Sequence, residues 1–316
     1  MFHNKLKIGA ICLQFAFFIA HAAETDLSPA PETAMGCDST KNSVTWLKSD
    51  LECSSDKAQV SLLANISKQD VKRSQFSLLA NIAMKDVERL QLSGALNYAR
   101  HVRGAQISWD INIAKTVTGF QLGALNIADT VKGAQIGSIN IADHIEGVGI
   151  GFLTVTKNGL LHWDLSAEET GMEKLTFASG KTFFTSYSLG YSLLNKSHPY
   201  SFGMGFGYNK AFSKTFVEAE LHGSLILDRY TKLKNADMHK GDIENSDWRF
   251  NHLMQLKLRM GQQCYRNLGV FGGLTYNVLA THNHDRLLGS ADEIFTSHSK
   301  DFYGWPGVEI GIRLGR

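Results

Sequence analysis

Two histidines near the C-terminal end of the chain have the spacing of metal ligands. His282 and His284 lie two residues apart in the stretch THNHD, with Asp285 beside them. On a strand such an i, i+2 pair points to one side, where imidazole nitrogens bind Zn²⁺ or Cu²⁺. A metal site also needs a third and a fourth ligand, and the cysteines and histidines elsewhere lack metal-ligand spacing. The sequence therefore predicts a polar loop here, with no metal and no cofactor.

A second group of residues has the side-chain types used in acid–base catalysis. His222 follows Glu218 and Glu220, and His298 directly precedes Ser299. Lipid-modifying barrel enzymes use sets of this kind, in which the histidine moves a proton and the carboxylate orients it. No nucleophile motif such as GxSxG accompanies these residues. We therefore expect a polar barrel interior and a solvated loop at these positions, and no catalysis.

The first residues of the chain have the features of a secretory leader. Lys5 and Lys7 precede an apolar run at residues 8–20, and Ala-His-Ala at residues 20–22 is a small-x-small cleavage signal. The apolar run is too short to span a membrane comfortably. We predict a signal peptide at residues 1–22, followed by a polar linker and cap at residues 23–57.

Export places the remaining cysteines where disulfides form. Cys37 and Cys53 flank a polar stretch, and a disulfide between them would pin the N-terminal segment. The alternative is that these two residues and Cys264 are unpaired thiols, because connectivity cannot be read from a sequence.

The charge of the mature chain excludes nucleic acid as a partner. The full sequence has 32 basic and 30 acidic residues, and Lys5 and Lys7 leave with the leader. The mature chain is therefore nearly neutral and offers no electrostatic attraction for a phosphate backbone.

Residues 58–158 contain six in-phase repeats, each with one Gln and one Asn in apolar surroundings, as in GAQIGSINIA at 133–142. A seventh unit, GIGFLTVT at 149–156, keeps the apolar pattern without Gln or Asn. Such self-similarity predicts a β-rich repeat module. Either each unit is a coil of a β-solenoid with structural ladders of stacked amides, or each unit is one strand of an antiparallel meander. The repeated residues are Gln59, Gln75, Gln91, Gln106, Gln121, Gln135, Asn65, Asn81, Asn97, Asn112, Asn126 and Asn140.

Two features of the repeat spacing favour the solenoid. The Gln-to-Asn offset is six in the first four units and five in the last two. Within a plain strand this deletion reverses the side-chain directions, whereas a coil absorbs it at a corner, although a β-bulge would rescue the meander. An apolar residue also recurs in every connection, which successive turns at opposite ends of a meander do not require. These residues are Val71, Val87, Val102, Val117, Val131 and Ile145.

A different rhythm begins at residue 159, where apolar and polar residues alternate along eight predicted strands. Short connections alternate with long ones, as in outer-membrane barrels, and the small polar face suits a narrow eight-stranded interior. In that interior Glu218 and Glu220 would pair with Lys257 and Arg259. The alternative is a soluble β-sandwich or lipocalin-like barrel with its apolar faces inward. The predicted strands lie near 159–167, 173–179, 182–194, 200–211, 214–228, 248–262, 266–280 and 302–314.

The repeated phrase at 133–142, followed by TKNGLLHWDLSAEETG at 156–171, resembles the bacterial surface repeat-containing proteins of spirochaetes and bacteroidetes. The resemblance covers residues 58 to about 180 well and the remainder only in style. It implies an exported, envelope-associated, β-rich protein and implies no catalytic activity.

Taken together, these features predict an all-β outer-membrane protein of a Gram-negative-type bacterium. A β repeat module at 58–158 precedes an antiparallel outer-membrane-type β-barrel at 159–316. The function would be structural, display or adhesive, with outer-membrane lipid as a partner and a host or envelope polymer bound through the repeats or loops. Two alternatives remain open: a pore of about sixteen strands built from both halves, and a barrel enzyme that modifies envelope lipid.

Overall fold

The computed structural model describes residues 43–45, 48–51, 58–194, 198–230, 247–280, 297–299 and 302–315. The chain divides into two compact units, Met1–Asn158 and Gly159–Arg316, at the position where the sequence rhythm changes. The predicted signal peptide, Cys37, Cys53, His282 and His284 lie outside the described residues. Within the described part, no helix is long and apolar enough to cross a membrane.

The first unit is a β-solenoid, as the repeat spacing indicates. Each coil contributes one short strand to each of two parallel sheets, in the orders β1-β3-β5-β8-β10-β12-β14-β16 and β17-β15-β13-β11-β9-β6-β4-β2. The strands are β1 Ser43–Thr45, β2 Lys48–Leu51, β3 Gln59–Ser61, β4 Ala64–Ser67, β5 Ser74–Ser77, β6 Ala80–Ala83, β7 Asp86–Val87, β8 Leu90–Ser93, β9 Leu96–Val102, β10 Ala105–Ser108, β11 Ile111–Val117, β12 Phe120–Leu122, β13 Leu125–Val131, β14 Ala134–Ile136, β15 Ile139–Ile145, β16 Val148–Ile150 and β17 Leu153–Thr156.

Equivalent residues of successive coils stack in register. Gln106 pairs with Gln121 in the first sheet, and Asn112 pairs with Asn126 in the second. All these pairings are parallel, so the antiparallel meander is wrong for this chain. The deletion that shortens the offset removes the position of the buried Ser108, just before a two-residue corner. Register is therefore kept on both sides of the corner, as a coil permits.

The interior of the solenoid is polar on the glutamine side and apolar beside the asparagines. The Gln and Asn side chains are fully buried, and a column of alanine and valine side chains packs next to them. That column consists of Val71, Ala83, Val87, Ala99, Val102, Ala114, Val117, Ala128, Val131, Ala142 and Ile145.

The outer surface of the solenoid carries the larger apolar side chains, because the residues that flank each inward Gln or Asn point outward. Of the larger of these outward residues only Ile82 is buried. They are Val60, Phe76, Leu90, Leu92, Ile107, Phe120, Leu122, Ile136, Val148 and Ile150 in the first sheet, and Ile66, Ile82, Leu96, Tyr98, Ile111, Ile113, Leu125, Ile127, Ile139, Ile141, Leu153 and Val155 in the second.

The two edges of the solenoid differ in character. The apolar edge is formed by the two-residue corners that follow the glutamine strands, at 62–63, 78–79, 94–95, 109–110, 123–124, 137–138 and 151–152. The charged edge is formed by the ends of the longer asparagine strands and by the turns that follow the asparagine strands, at 68–73, 84–89, 100–104, 115–119, 129–133, 143–147 and 157–158. Backbone hydrogen bonds between coils run along both edges, from Gly94 N to Leu78 O on one and from Thr118 N to Val102 O on the other.

The second unit is a closed antiparallel barrel of eight strands, since the first strand, β18, pairs with the last long strand, β26. The short β25 pairs with β26 only. The predicted strand positions are confirmed to within a few residues. The strands are β18 Leu160–Glu168, β19 Glu173–Gly180, β20 Phe183–Tyr191, β21 Tyr200–Phe212, β22 Thr215–Tyr230, β23 Asp247–Tyr265, β24 Leu268–Ala280, β25 Ser297–Ser299 and β26 Phe302–Gly315.

The barrel has its apolar face outside and its polar face inside. Leu221, Leu256 and Ile310 are each at least half exposed, whereas Glu220 and Lys257 on the same strands as the two leucines are buried. The lipocalin-like alternative with an apolar interior is therefore wrong. A single barrel of about sixteen strands is wrong as well, because the solenoid strands pair in parallel with one another.

Candidate functional site

Among the described residues, the buried titratable side chains lie in the interior of the barrel. Period-two alternation places them on one face of each strand, and closure brings these faces together. Glycines on the inner face leave space for these side chains. A Cβ added at Gly205 of β21 would lie 2.1 Å from Glu220 Oε1 and 2.6 Å from Ser186 Oγ. The buried titratable residues of the interior are His162, Asp164, Glu168, Lys174, Glu218, Glu220, His222, Lys257, Arg259, Glu309 and Arg313.

Arg313 is the centre of one ion-paired cluster. Its Nε and Nη2 donate to the two carboxylate oxygens of Asp164, both at 2.8 Å. Its Nη1 and Nη2 donate to the two oxygens of Glu218 at 2.7 and 2.9 Å. The guanidinium carbon also lies 4.0 Å from the ring centre of Phe216. Two bidentate pairs and an aromatic contact therefore fix this guanidinium, which is 2 % exposed.

Arg259 bridges Glu218 and Glu220, as the sequence predicts. It contacts Glu220 directly and lies 3.3 Å from Glu218. Lys257 was predicted to share these partners, and this part of the prediction is wrong. Although Lys257 is opposite Glu220 in register, its Nζ is 2.7 Å from Glu168 and 3.3 Å from Glu309. Its long side chain reaches across the interior to strands that adjoin each other only because the barrel closes.

A network of amides and carboxylates continues from this lysine. Lys174 Nζ donates to Glu168 at 2.8 Å and to Gln255 Oε1 at 2.6 Å. Gln255 Nε2 donates to Glu168 Oε2 at 3.1 Å and to Asn277 Oδ1 at 2.8 Å, and Asn277 donates to Glu169 at 2.7 Å. Each buried charge thus meets an opposite charge or an amide, as burial demands.

One chain of hydrogen bonds has the order of a serine hydrolase triad. Ser188 Oγ lies 2.8 Å from His222 Nε2, and His222 Nδ1 lies 3.0 Å from Glu220 Oε1. Ser186 also contacts this glutamate. Sequence reasoning named His222 and Glu220 but missed both serines, because they lie on β20, two strands away. The only signal was the small polar face of that strand, which carries Ser186 and Ser188 at a spacing of two.

The remaining candidate residues are not brought into this network by the described structure. The backbones of His298 and Ser299 lie in β25, opposite Tyr303 and Phe302, and their side chains lie outside the described part. His282 and His284 also lie outside it. Among the described residues, no group of three or more His, Cys, Asp or Glu side chains could hold a metal ion. Cys264 is a free, exposed thiol.

The glutamines of the solenoid form a continuous ladder. From Gln75 to Gln135, the Nε2 of each repeat glutamine donates to the Oε1 of the glutamine one coil earlier, at 2.6–2.8 Å. The ladder ends at Gln135, whose Oε1 has no partner among the described residues because Gly149 occupies the next register position.

The asparagines form a second ladder that runs in the opposite direction. Asn112 Nδ2 donates to Oδ1 of Asn126 in the following coil at 3.0 Å, and Asn112 Oδ1 accepts from Nδ2 of Asn97 at 3.0 Å. Its second proton goes to the backbone oxygen of Leu122 at 2.9 Å, at the start of the apolar-edge corner. Each asparagine thus satisfies a corner carbonyl as well as its neighbour, which explains why the repeat keeps an amide at this position.

Comparisons with known proteins add one structural likeness. No known family matches the sequence, and the curated proteins gave no match either. The N-terminal β-barrel domain of Pseudomonas aeruginosa OprF is similar, with 8 % sequence identity and a TM-score of 0.29, over 49 % of this chain and 95 % of that one. At this TM-score the likeness supports no conclusion about function.

Proposed function

We propose that this protein is a non-catalytic envelope protein whose barrel crosses an outer membrane and anchors the solenoid there. The observation that carries the proposal is the polarity of the barrel, with apolar side chains outside on its strands and an ion-paired interior. Bacterial outer-membrane barrels have an outer apolar band of this kind and a polar interior.

The exposed apolar area argues against a barrel that is free in water. Met260, Leu274 and Ile310 are 62 %, 65 % and 67 % exposed, and similar residues lie on the neighbouring strands. Leaving apolar area in water costs about 25 cal/mol per Å², and soluble monomers rarely expose large contiguous patches. Strand length also agrees: seven of the eight barrel strands have 9–19 residues and β19 has 8, while a tilted span needs about 9–11.

The filled interior supports an anchor rather than a channel. Eight-stranded barrels are narrow enough for side chains to fill them. Here Arg259, Lys257 and Arg313 occupy the interior together with their carboxylate partners. The three basic residues are each 2 % or 3 % exposed. The amide ladders of the solenoid use their donors internally, which suits a structural module. Display or adhesion, with a host or envelope polymer as the partner, is the role we propose for it.

Cell fractionation tests the location. We expect the mature protein to stay with the outer-membrane fraction after high-salt and alkaline washes and to need detergent for extraction, because its apolar band contacts lipid. Protease treatment of intact cells and of broken cells, with mapping of the surviving fragments, then reports the side of residues 58–158. A protein that is freely soluble without detergent would contradict the proposal.

The Ser188–His222–Glu220 chain supports a second candidate function, a barrel enzyme that modifies envelope lipid. The spacing of 2.8 and 3.0 Å suits proton transfer from the serine. Against this, Ser188 is 3 % exposed and Glu220 is also bound by Arg259, so these residues serve the packing of the interior.

A serine-directed probe separates the two functions. A fluorophosphonate is expected to leave the folded protein unlabelled, because the buried Ser188 hydroxyl cannot be reached from water or lipid. The matched control is Ser188→Ala, which keeps the neighbouring serines. Labelling that disappears in this variant would establish a reactive serine and overturn the non-catalytic proposal.

A further inference from the structure

Unlike a water-soluble repeat protein, the solenoid has its largest apolar side chains outside. Its interior contains the Gln and Asn amides beside a column of mostly small apolar side chains, while leucine, isoleucine and phenylalanine side chains cover the outside of both sheets. The apolar edge between the sheets is more exposed still: Trp109 is 84 %, Leu78 is 60 % and Phe152 is 58 % exposed.

The charges of the solenoid are segregated to the opposite edge. Of the 17 charged residues between 58 and 158, all lie on the charged edge except Asp110, which is in the corner at 109–110. These 16 residues comprise ten basic and six acidic side chains, so the edge carries a net charge of +4. Some of them pair with each other, as Arg103 does with Asp86 at 3.8 Å. The excess of positive charge complements anionic lipid head groups.

We propose that the solenoid is itself a monotopic membrane element, which inserts its apolar edge into the acyl region of one leaflet. The inference rests on the proposed envelope location, because that location supplies the bilayer. Trp109 leads the insertion, and the charged edge stays at the level of the head groups. Amphipathic helices that lie in a membrane interface divide their polar and apolar residues in the same way.

The dimensions of a coil agree with shallow insertion. From the apolar edge at 123–124, the strand of one coil runs through Leu125–Ala128 before the first charged residue, Asp129. Four residues of strand measure about 13 Å, less than half of the roughly 30 Å hydrocarbon core. A coil cannot span the bilayer, but the apolar edge can enter the interface by the roughly 5–10 Å typical of monotopic elements.

Lipid suits this surface better than a second protein chain. A protein partner covers one face of a sheet, whereas here the outsides of both sheets and the edge between them are apolar. Fluid acyl chains contact all three surfaces at once. The interior ladders keep the Gln and Asn amides of the central coils hydrogen-bonded while this happens, and backbone hydrogen bonds between coils do the same for the corners.

Photo-crosslinking of the full-length protein in vesicles of phosphatidylethanolamine and phosphatidylglycerol tests the inference. The crosslinker p-benzoylphenylalanine replaces Trp109 or Leu78 on the apolar edge, and Lys115 or Lys132 on the charged edge as matched controls. All four side chains are exposed, so the fold should tolerate the replacement. The same replacement at Leu256 reports independently whether the barrel lies in lipid.

We expect light-dependent lipid adducts, detected as a mass increase, when the crosslinker is at Trp109 or Leu78. We expect none when it is at Lys115 or Lys132. Adducts at Leu256 without adducts at Trp109 would overturn the membrane contact of the solenoid and leave the barrel anchor standing. A crosslink from Trp109 to a second copy of the chain would overturn it too, in favour of dimerisation. Absence of lipid adducts at all positions, Leu256 included, would overturn the proposed anchor as well.

Discussion

Arg313→Met is expected to prevent the barrel from folding stably. This guanidinium holds four carboxylate oxygens, two from Asp164 and two from Glu218, in a site with almost no water contact. Methionine fills similar volume but leaves two buried carboxylates without their bidentate partner. Arg259 lies 3.3 Å from Glu218 and 3.7 Å from Asp164, and the other close groups are Asn209 and His162. Removing one partner of a buried pair costs about 3–5 kcal/mol, a large part of the stability of a domain.

The measurement is the fraction of protein that resists protease and keeps its folded mobility on unheated gels. Arg266→Met is the matched control, because Arg266 is exposed in the turn between β23 and β24. We expect that control to behave as the unaltered protein. Adding Asp164→Asn and Glu218→Gln to Arg313→Met should restore part of the folded fraction, because the unpaired charges are then gone. A fully folded Arg313→Met protein would show that the cluster does not stabilise the barrel.

Asn112→Leu is expected to unfold the middle of the solenoid. The substitution removes the acceptor of Asn97 and both donors that serve Asn126 and the backbone oxygen of Leu122. Each buried polar group that loses its partner costs roughly 1–3 kcal/mol, so three such groups cost about 3 kcal/mol or more. In a repeat module each coil contacts only its neighbours, so the loss spreads to the adjacent coils first.

Hydrogen exchange of peptides from residues 105–131, in the full-length protein, measures this effect. We expect faster exchange there and unchanged exchange in the barrel strands. Ile113→Val is the matched control: this side chain is the outward neighbour of the asparagine and makes no amide hydrogen bond, so little change is expected. Equal protection in Asn112→Leu and the unaltered protein would mean that the ladder is not needed for stability.

The sequence by itself determined the repeat unit of the first half and the strand alternation of the second. The recurrence of Gln and Asn at a near-constant period favoured stacked coils over a meander, and the shorter offset between Gln121 and Asn126 excluded a plain strand without a bulge. In the second half, strict alternation over eight segments determined both faces of every barrel strand. These are properties of the local backbone, since a coil repeats once per unit and a strand alternates every two residues.

Apart from the pairing of Arg259 with Glu218 and Glu220, which the sequence indicated, the tertiary structure decided which charges and hydroxyls meet. Lys257 reaches Glu168, 89 positions away in the chain. Ser188 reaches His222 across the intervening strand β21, where Gly203 leaves room for the contact. Such contacts depend on strand register, barrel closure and side-chain length together. Alternation specifies only that a residue faces inward, so the same pattern is compatible with many pairings. Closure of the barrel brings β18 beside β26. Each buried charge then has only a few groups of opposite charge within reach, and this limits the possible pairings.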